Sequence, residues 1–111
     1  MSKLGREFEK LVFEIEQALD KTGAIIKSPG YLIDKETDGK REVDVVIRIN
    51  TGSTNLAIAI ECRDRKAAND VRWIEELISK RNSINVDRMI AVSSSDWTSG
   101  AKKRLKPITL K

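Results

Sequence analysis

Two stretches of alternating side chains, residues 41–50 and 56–63, flank the polar loop Asn50-Thr51-Gly52-Ser53-Thr54-Asn55. Period-two alternation bounded by such a loop predicts a β-hairpin. With the loop at 51–54, residue 50 pairs with 55 and 49 with 56, so each pair of numbers sums to 105. Val43, Val45, Ile47 and Ile49 then share one face, and Asp44, Val46 and Arg48 the other. On the partner strand Leu56, Ile58, Ile60 and Cys62 oppose Ala57, Ala59, Glu61 and Arg63. Asp44 falls opposite Glu61, with Cβ atoms about 5 Å apart. Two carboxylates at that spacing repel by about 3 kcal/mol at an effective dielectric near 20. Two readings fit. In one, a divalent cation between the carboxylates reverses the sign, and the small Ala57 and Ala59 leave room for a ligand or a helix. In the other, Arg48 and Arg63 neutralise the pair in a surface charge network. A one-residue slip in register would move Asp44 to the opposite face and remove the pairing.

The rest of the chain supplies elements around this hairpin. Leu4, Phe8, Leu11, Val12, Ile15, Ala18 and Leu19 recur at helical spacing, with Gly23 beyond the end. Glu9 and Glu16 lie on one flank of that stripe, Glu7 and Glu14 on the other. Residues 24–27 predict a short strand stopped by Ser28-Pro29-Gly30, and 31–40 read as a polar, turn-rich stretch. A second helix is expected over 67–81, with Ala67, Val71, Ile74, Leu77 and Ile78 inward. Residues 88–92 form a nearly continuous apolar strand suited to burial on both faces. A short helix near 99–105 ends at Pro107, and 108–110 can add an edge strand. The predicted order is αβββαβαβ, an α/β (α+β) chain: an antiparallel meander followed by one right-handed crossover.

Composition narrows the chemistry. The 111 residues suit one domain over 1–111. No apolar run reaches the roughly 20 residues of a membrane-spanning helix. The opening Met1-Ser2-Lys3-Leu4-Gly5 has no secretory apolar core, so a cytoplasmic location is expected. Histidine is absent and Cys62 is the single cysteine, which excludes an internal disulfide, Cys/His zinc sites and histidine-based nucleophilic catalysis. Carboxylates, Lys/Arg, hydroxyls or a hard metal ion remain. The net charge is +4. Residues 1–55 carry 9 basic and 10 acidic side chains, and 56–111 carry 12 and 7. That basic excess attracts polyanions, nucleic acid first.

The segments Gly5-Arg6-Glu7-Phe8-Glu9, Arg41-Glu42-Val43-Asp44 and Ile60-Glu61-Cys62-Arg63-Asp64-Arg65-Lys66 together resemble the restriction-endonuclease-like PD-(D/E)xK superfamily. Trp73-Ile74-Glu75-Glu76-Leu77 and Ala91-Val92-Ser93-Ser94-Ser95 extend the likeness, which is strongest to the Mrr-like and Holliday-junction-resolvase-like branches and covers nearly the whole chain. The resemblance implies a restriction-endonuclease-like core, a mixed central sheet flanked by helices, in which Asp44, Glu61 and the Cys62 backbone carbonyl hold Mg²⁺ or Mn²⁺, an oxygen-liganded ion suited to a site without histidine. It implies that Glu9 contributes through a bound water, and that the ion activates water and stabilises the pentacoordinate phosphate. Arg41, Arg65, Lys66, Ser94, Lys102 and Lys103 are the corresponding nucleic-acid contacts. The family motif ends in lysine two residues after the second carboxylate, where this chain has Arg63. Arginine stays charged and cannot readily serve as a base, but it can bind phosphate. Lys80, on one flank of the second helix with Trp73 and Glu76, is the expected replacement ammonium, and Lys66 the weaker one.

Several features carry plainer readings. Trp73 and Trp97 are candidates for base stacking but are expected to pack at a helix or sheet edge. Ser93-Ser94-Ser95 is either a phosphate-contacting loop or a helix cap. Cys62 is expected as a small core residue facing away from Glu61. The sequence therefore reads as a metal-dependent DNA endonuclease, with a non-catalytic nucleic-acid-binding module as the alternative. A homodimer, DNA shape or a partner protein would supply specificity in so short a chain.

Overall fold

The computed structural model describes residues 3–20, 23–50, 52–104 and 108–111. Thr51 of the loop, Leu105 at the end of the last predicted helix, and Lys106 and Pro107 after it lie outside them. The elements are α1 Lys3–Leu19, β1 Ile25–Lys27, β2 Gly30–Ile33, β3 Lys40–Val43, β4 Val45–Asn50, β5 Asn55–Arg63, α2 Val71–Ser83, β6 Arg88–Ser93, α3 Ser99–Lys103 and β7 Thr109–Leu110. Five strands form a mixed sheet in the order β1-β4-β5-β6-β7, and β2 and β3 form a separate antiparallel pair. The pairs β1–β4 and β4–β5 are antiparallel, whereas β5–β6 and β6–β7 are parallel and connected through α2 and α3. Among the described residues no helix is long and apolar enough to cross a membrane.

The hairpin forms in the expected register, with Val45 opposite Ile60 and Asn50 opposite Asn55. Its first strand does not run unbroken from 41. The chain leaves β3 at Val43 and enters β4 at Val45, changing sheets at Asp44. Val43 and Val45, expected on one face, therefore enter different cores. Val43 joins Leu32, Val46, Ala59, Trp73 and Leu77 beneath α2, while Val45 joins Val12, Ile47, Ile60 and Ile90 beneath α1. Ala57 and Ala59 do make room for a helix, since both pack in the α2 core.

Two further expectations change. The stretch 31–40, read as turn-rich, contributes most of β2, which pairs with β3 from Gly30–Val43 to Ile33–Lys40. Its alternation is only four residues long and follows Pro29, so it carries little periodic signal. The second helix begins at Val71 rather than near 67, because Asp70 caps it by accepting the Arg72 N–H. Ala67 consequently lies outside the helix, and Trp73, expected on a flank, is buried beside Ile74 and Leu77. The last helix runs only to Lys103, and the edge strand near 108–110 is present as β7.

Candidate active site

Asp44 is fixed by groups from two segments, the turn before β2 and the end of β5. Its Oδ2 accepts the Cys62 N–H at 2.7 Å. Its carbonyl accepts the Ser28 hydroxyl, also at 2.7 Å. Its own backbone N–H favours the charged form of the Glu61 carboxylate. The break between β3 and β4 has a physical use here. A residue inside a continuous ladder would spend its backbone groups on strand partners, whereas at the bend the Asp44 carbonyl is free to take the Ser28 hydroxyl.

Glu61 leaves β5 on the α2 side. Its Oε1 accepts Lys80 Nζ at 2.9 Å, and both side chains are more than four-fifths buried. Lys80 also donates to the Glu42 carbonyl at 2.6 Å, which ties α2 to β3. Burial raises the Glu61 carboxyl above its ordinary range and the Asp44 charge adds to this, while the charge and hydrogen bond of Lys80 oppose it. The surface network expected from Arg48 and Arg63 does not form. Arg48 donates to the Tyr31 carbonyl at 3.1 Å, and the Arg63 guanidinium lies 5.0 Å from the centre of the Trp73 ring. Lys80 makes the ion pair instead, so the ammonium expected from the second helix does meet Glu61.

Glu9, on α1, hydrogen-bonds Asp44. Its carboxyl is pushed up to about 8 by burial, then by that hydrogen bond and the charges of Asp44, Glu42 and Glu61. Glu9 and Glu42 also line a groove of about 670 Å³ with Arg6, Lys10, Ser28 and Pro29. Among the described residues, no three acidic or cysteine side chains are drawn into a ready-made metal cluster. The donor set nevertheless suits a hard cation. It consists of carboxylate oxygens, and burial first, then the neighbouring carboxylates, raises the cost of charging Glu9 in the absence of a cation. Cys62 points into the α1 core, where burial first and the nearby carboxylates second push its thiol up.

The remaining candidates are spread more widely. Arg65 donates its backbone N–H to Ser94 Oγ at 3.3 Å, and Ser94 donates to Asp64 at 2.6 Å. Lys66, Lys102 and Lys103 are exposed. Arg41 is turned toward the far end of α2, where it meets Ser83 Oγ at 2.8 Å and the buried Asp34 at 3.6 Å. Trp73 and Trp97 stack on each other, with ring centres 5.4 Å apart and planes 5° from parallel. The serine run serves an internal purpose that sequence reasoning missed. The fully buried Asn69 donates from Nδ2 to Ser93 Oγ, Ser95 Oγ and the Asp96 carbonyl, joining the start of α2 to the end of β6. Nothing in the local pattern distinguishes Asn69 from an ordinary loop asparagine.

A family model for the Mrr catalytic domain, described as restriction endonuclease, matches residues 2–110. No curated protein matches the chain. Among solved structures, the protein of unknown function AF1548 superposes with a TM-score of 0.72 at 14% identity, over 93% of this chain and 56% of that one. The DNA modification-dependent restriction endonuclease AspBHI gives 0.63 at 20%, over 95% and 28%. The restriction endonuclease MspJI, solved in complex with a 27-mer oligonucleotide, gives 0.59 at 18%, over 95% and 25%. The chain thus spans about half of the first and about a quarter of the other two, and these likenesses establish the fold. With the family match running almost end to end, the chain belongs to the restriction endonuclease family of the Mrr catalytic type.

Proposed function

We propose that this chain is a metal-dependent endonuclease that hydrolyses phosphodiester bonds in DNA. The observation that carries the reading is the convergence of Asp44, Glu61 and Lys80 at one end of the sheet, with Glu61 held at 2.9 Å from the lysine and Asp44 oriented by the Cys62 N–H. Asp44, Glu61 and the Cys62 carbonyl would hold Mg²⁺ or Mn²⁺. When bound, such an ion supplies Lewis-acid stabilisation of the phosphate and makes water more acidic. Lys80 is the side chain placed to stabilise negative charge developing on the phosphate. Glu9 is placed to hold or release a proton beside Asp44. Arg65, Lys66, Ser94, Lys102 and Lys103 are the proposed DNA contacts; Arg41 belongs to this set only if it leaves Asp34.

DNA is the substrate class suggested by the family and by the basic C-terminal half. A homodimer would bring two sites to two strands, and sedimentation showing only monomer, with and without DNA, would remove it. Cleavage of plasmid and branched DNA with Mg²⁺ or Mn²⁺ tests the central reading. Wild type should cut, and Asp44→Ala and Glu61→Ala should each lose about a hundredfold or more. Cutting unaffected by either substitution would refute the site assignment. A wild type that binds DNA but cuts none with either ion would leave a non-catalytic nucleic-acid-binding module.

A further inference from the structure

Arg63 stands where the family motif has its lysine, yet Lys80 takes the place beside Glu61. The Arg63 guanidinium is drawn onto Trp73 instead, 5.0 Å from the ring centre. There it lines a cleft of about 250 Å³ with Arg65, Asp70, Arg72, Trp73 and Glu76. Of these acids, Asp70 is committed to the α2 cap and to an ion pair with Arg72 at 3.4 Å, and Glu76 is exposed. Among the described residues neither Arg63 nor Arg65 has an ion-pair partner. The cleft therefore has unbalanced positive charge. A guanidinium stacked on an indole keeps its N–H edge available, and that edge matches two phosphate oxygens. The aromatic surface is already taken, because Trp73 is buried and contacts both Trp97 and Arg63. This argues against a stacked base and for an anion.

We infer that this cleft is a second phosphate subsite, in which Arg63 and Arg65 grip an internucleotide phosphate neighbouring the one cleaved. Glu61 and Arg63 lie two residues apart on one side of β5, about 7 Å along the strand, so a single DNA strand passing Glu61 reaches the cleft. The inference rests on the nuclease reading for which phosphate is cut, but its own claim concerns binding. Arg63 acts on the strand and not on the reacting atoms.

The test is fluorescence anisotropy with a labelled duplex oligonucleotide in EDTA, so that no strand is cut, over a range of salt concentrations. Arg63→Gln and Arg65→Gln should each weaken binding about tenfold, and each should reduce the steepness of the salt dependence by about one. Arg63→Lys should keep the steepness and lose part of the affinity. A single neutral methylphosphonate linkage, walked along one strand, should at one position weaken wild type about tenfold and weaken Arg63→Gln no further. Unchanged affinity in Arg63→Gln and Arg65→Gln would overturn the proposal. So would a methylphosphonate effect that persists undiminished in Arg63→Gln, or a loss produced by abasic nucleotides instead, which would assign the cleft to a base. Thermal melts of the variants check that each is folded. Wild type that shows this coupling but never cuts would sink the nuclease reading and leave the subsite standing.

Discussion

Replacing Lys80 with methionine keeps the unbranched stem, one atom shorter, and removes its charge, leaving Glu61 buried without its ammonium. At 2.9 Å and an effective dielectric near 20 the lost attraction is about 6 kcal/mol before solvation is counted. Breaking a buried pair by removing one partner costs about 3–5 kcal/mol. The variant has one escape, which is to protonate Glu61. Relative to an ordinary carboxyl near 4.5, each pH unit above that value makes the escape more expensive by about 1.4 kcal/mol. Protonation therefore limits the loss to under about 1 kcal/mol at pH 5, but costs about 5 kcal/mol at pH 8. The sign follows from proton binding: folded Lys80→Met holds a proton that the unfolded chain has released, so its stability falls as pH rises. Urea unfolding at both pH values, beside wild type, should show a deficit of about 3–5 kcal/mol at pH 8 that nearly closes at pH 5. Glu61→Gln in the Lys80→Met background should abolish the pH dependence of the deficit. Plasmid cutting by Lys80→Met should fall by about a hundredfold. A deficit equal at both pH values, with cutting intact, would refute both the burial argument and the role given to the lysine.

Glu9, with its carboxyl pushed up to about 8, should make the folded chain less stable as pH rises from about 5 to above 8, and Glu9→Gln should flatten that part of the profile in thermal melts. Gly30→Ala should destabilise by about 1–3 kcal/mol in urea unfolding, because an added Cβ would collide with the Val46 side chain where β2 crosses β4.

The arrangement of the candidate site was legible in sequence wherever a long periodic element carried it. The register from Val45–Ile60 to Asn50–Asn55 follows from a hairpin whose strands alternate over many residues, and Asp44, one residue beyond that ladder, is close enough to Glu61 to raise its carboxyl. Lys80 could be selected because a helix of known phase has a countable flank. The losses occur where a single residue decides the path. The change of sheet at Asp44 rests on the Ser28 hydroxyl sixteen positions away, and alternation through Val43-Asp44-Val45 looks continuous. The start of α2 depends on Asp70 as cap, while the apolar spacing of Ala67 and Val71 suggests an earlier one. The contact between the Arg63 guanidinium and the Trp73 ring could not be read from the sequence, because it depends on Trp73 being turned under the end of β5.

Whether the two acids and the ammonium form one ion-binding centre is tested most directly by titrating the purified chain with Mn²⁺ and following the free ion by electron paramagnetic resonance. Wild type should show a saturable site that is lost in Asp44→Asn and in Glu61→Gln but kept in Arg63→Gln. Saturable binding that survives both carboxylate substitutions, or no binding by wild type, would contradict a single ion-binding centre.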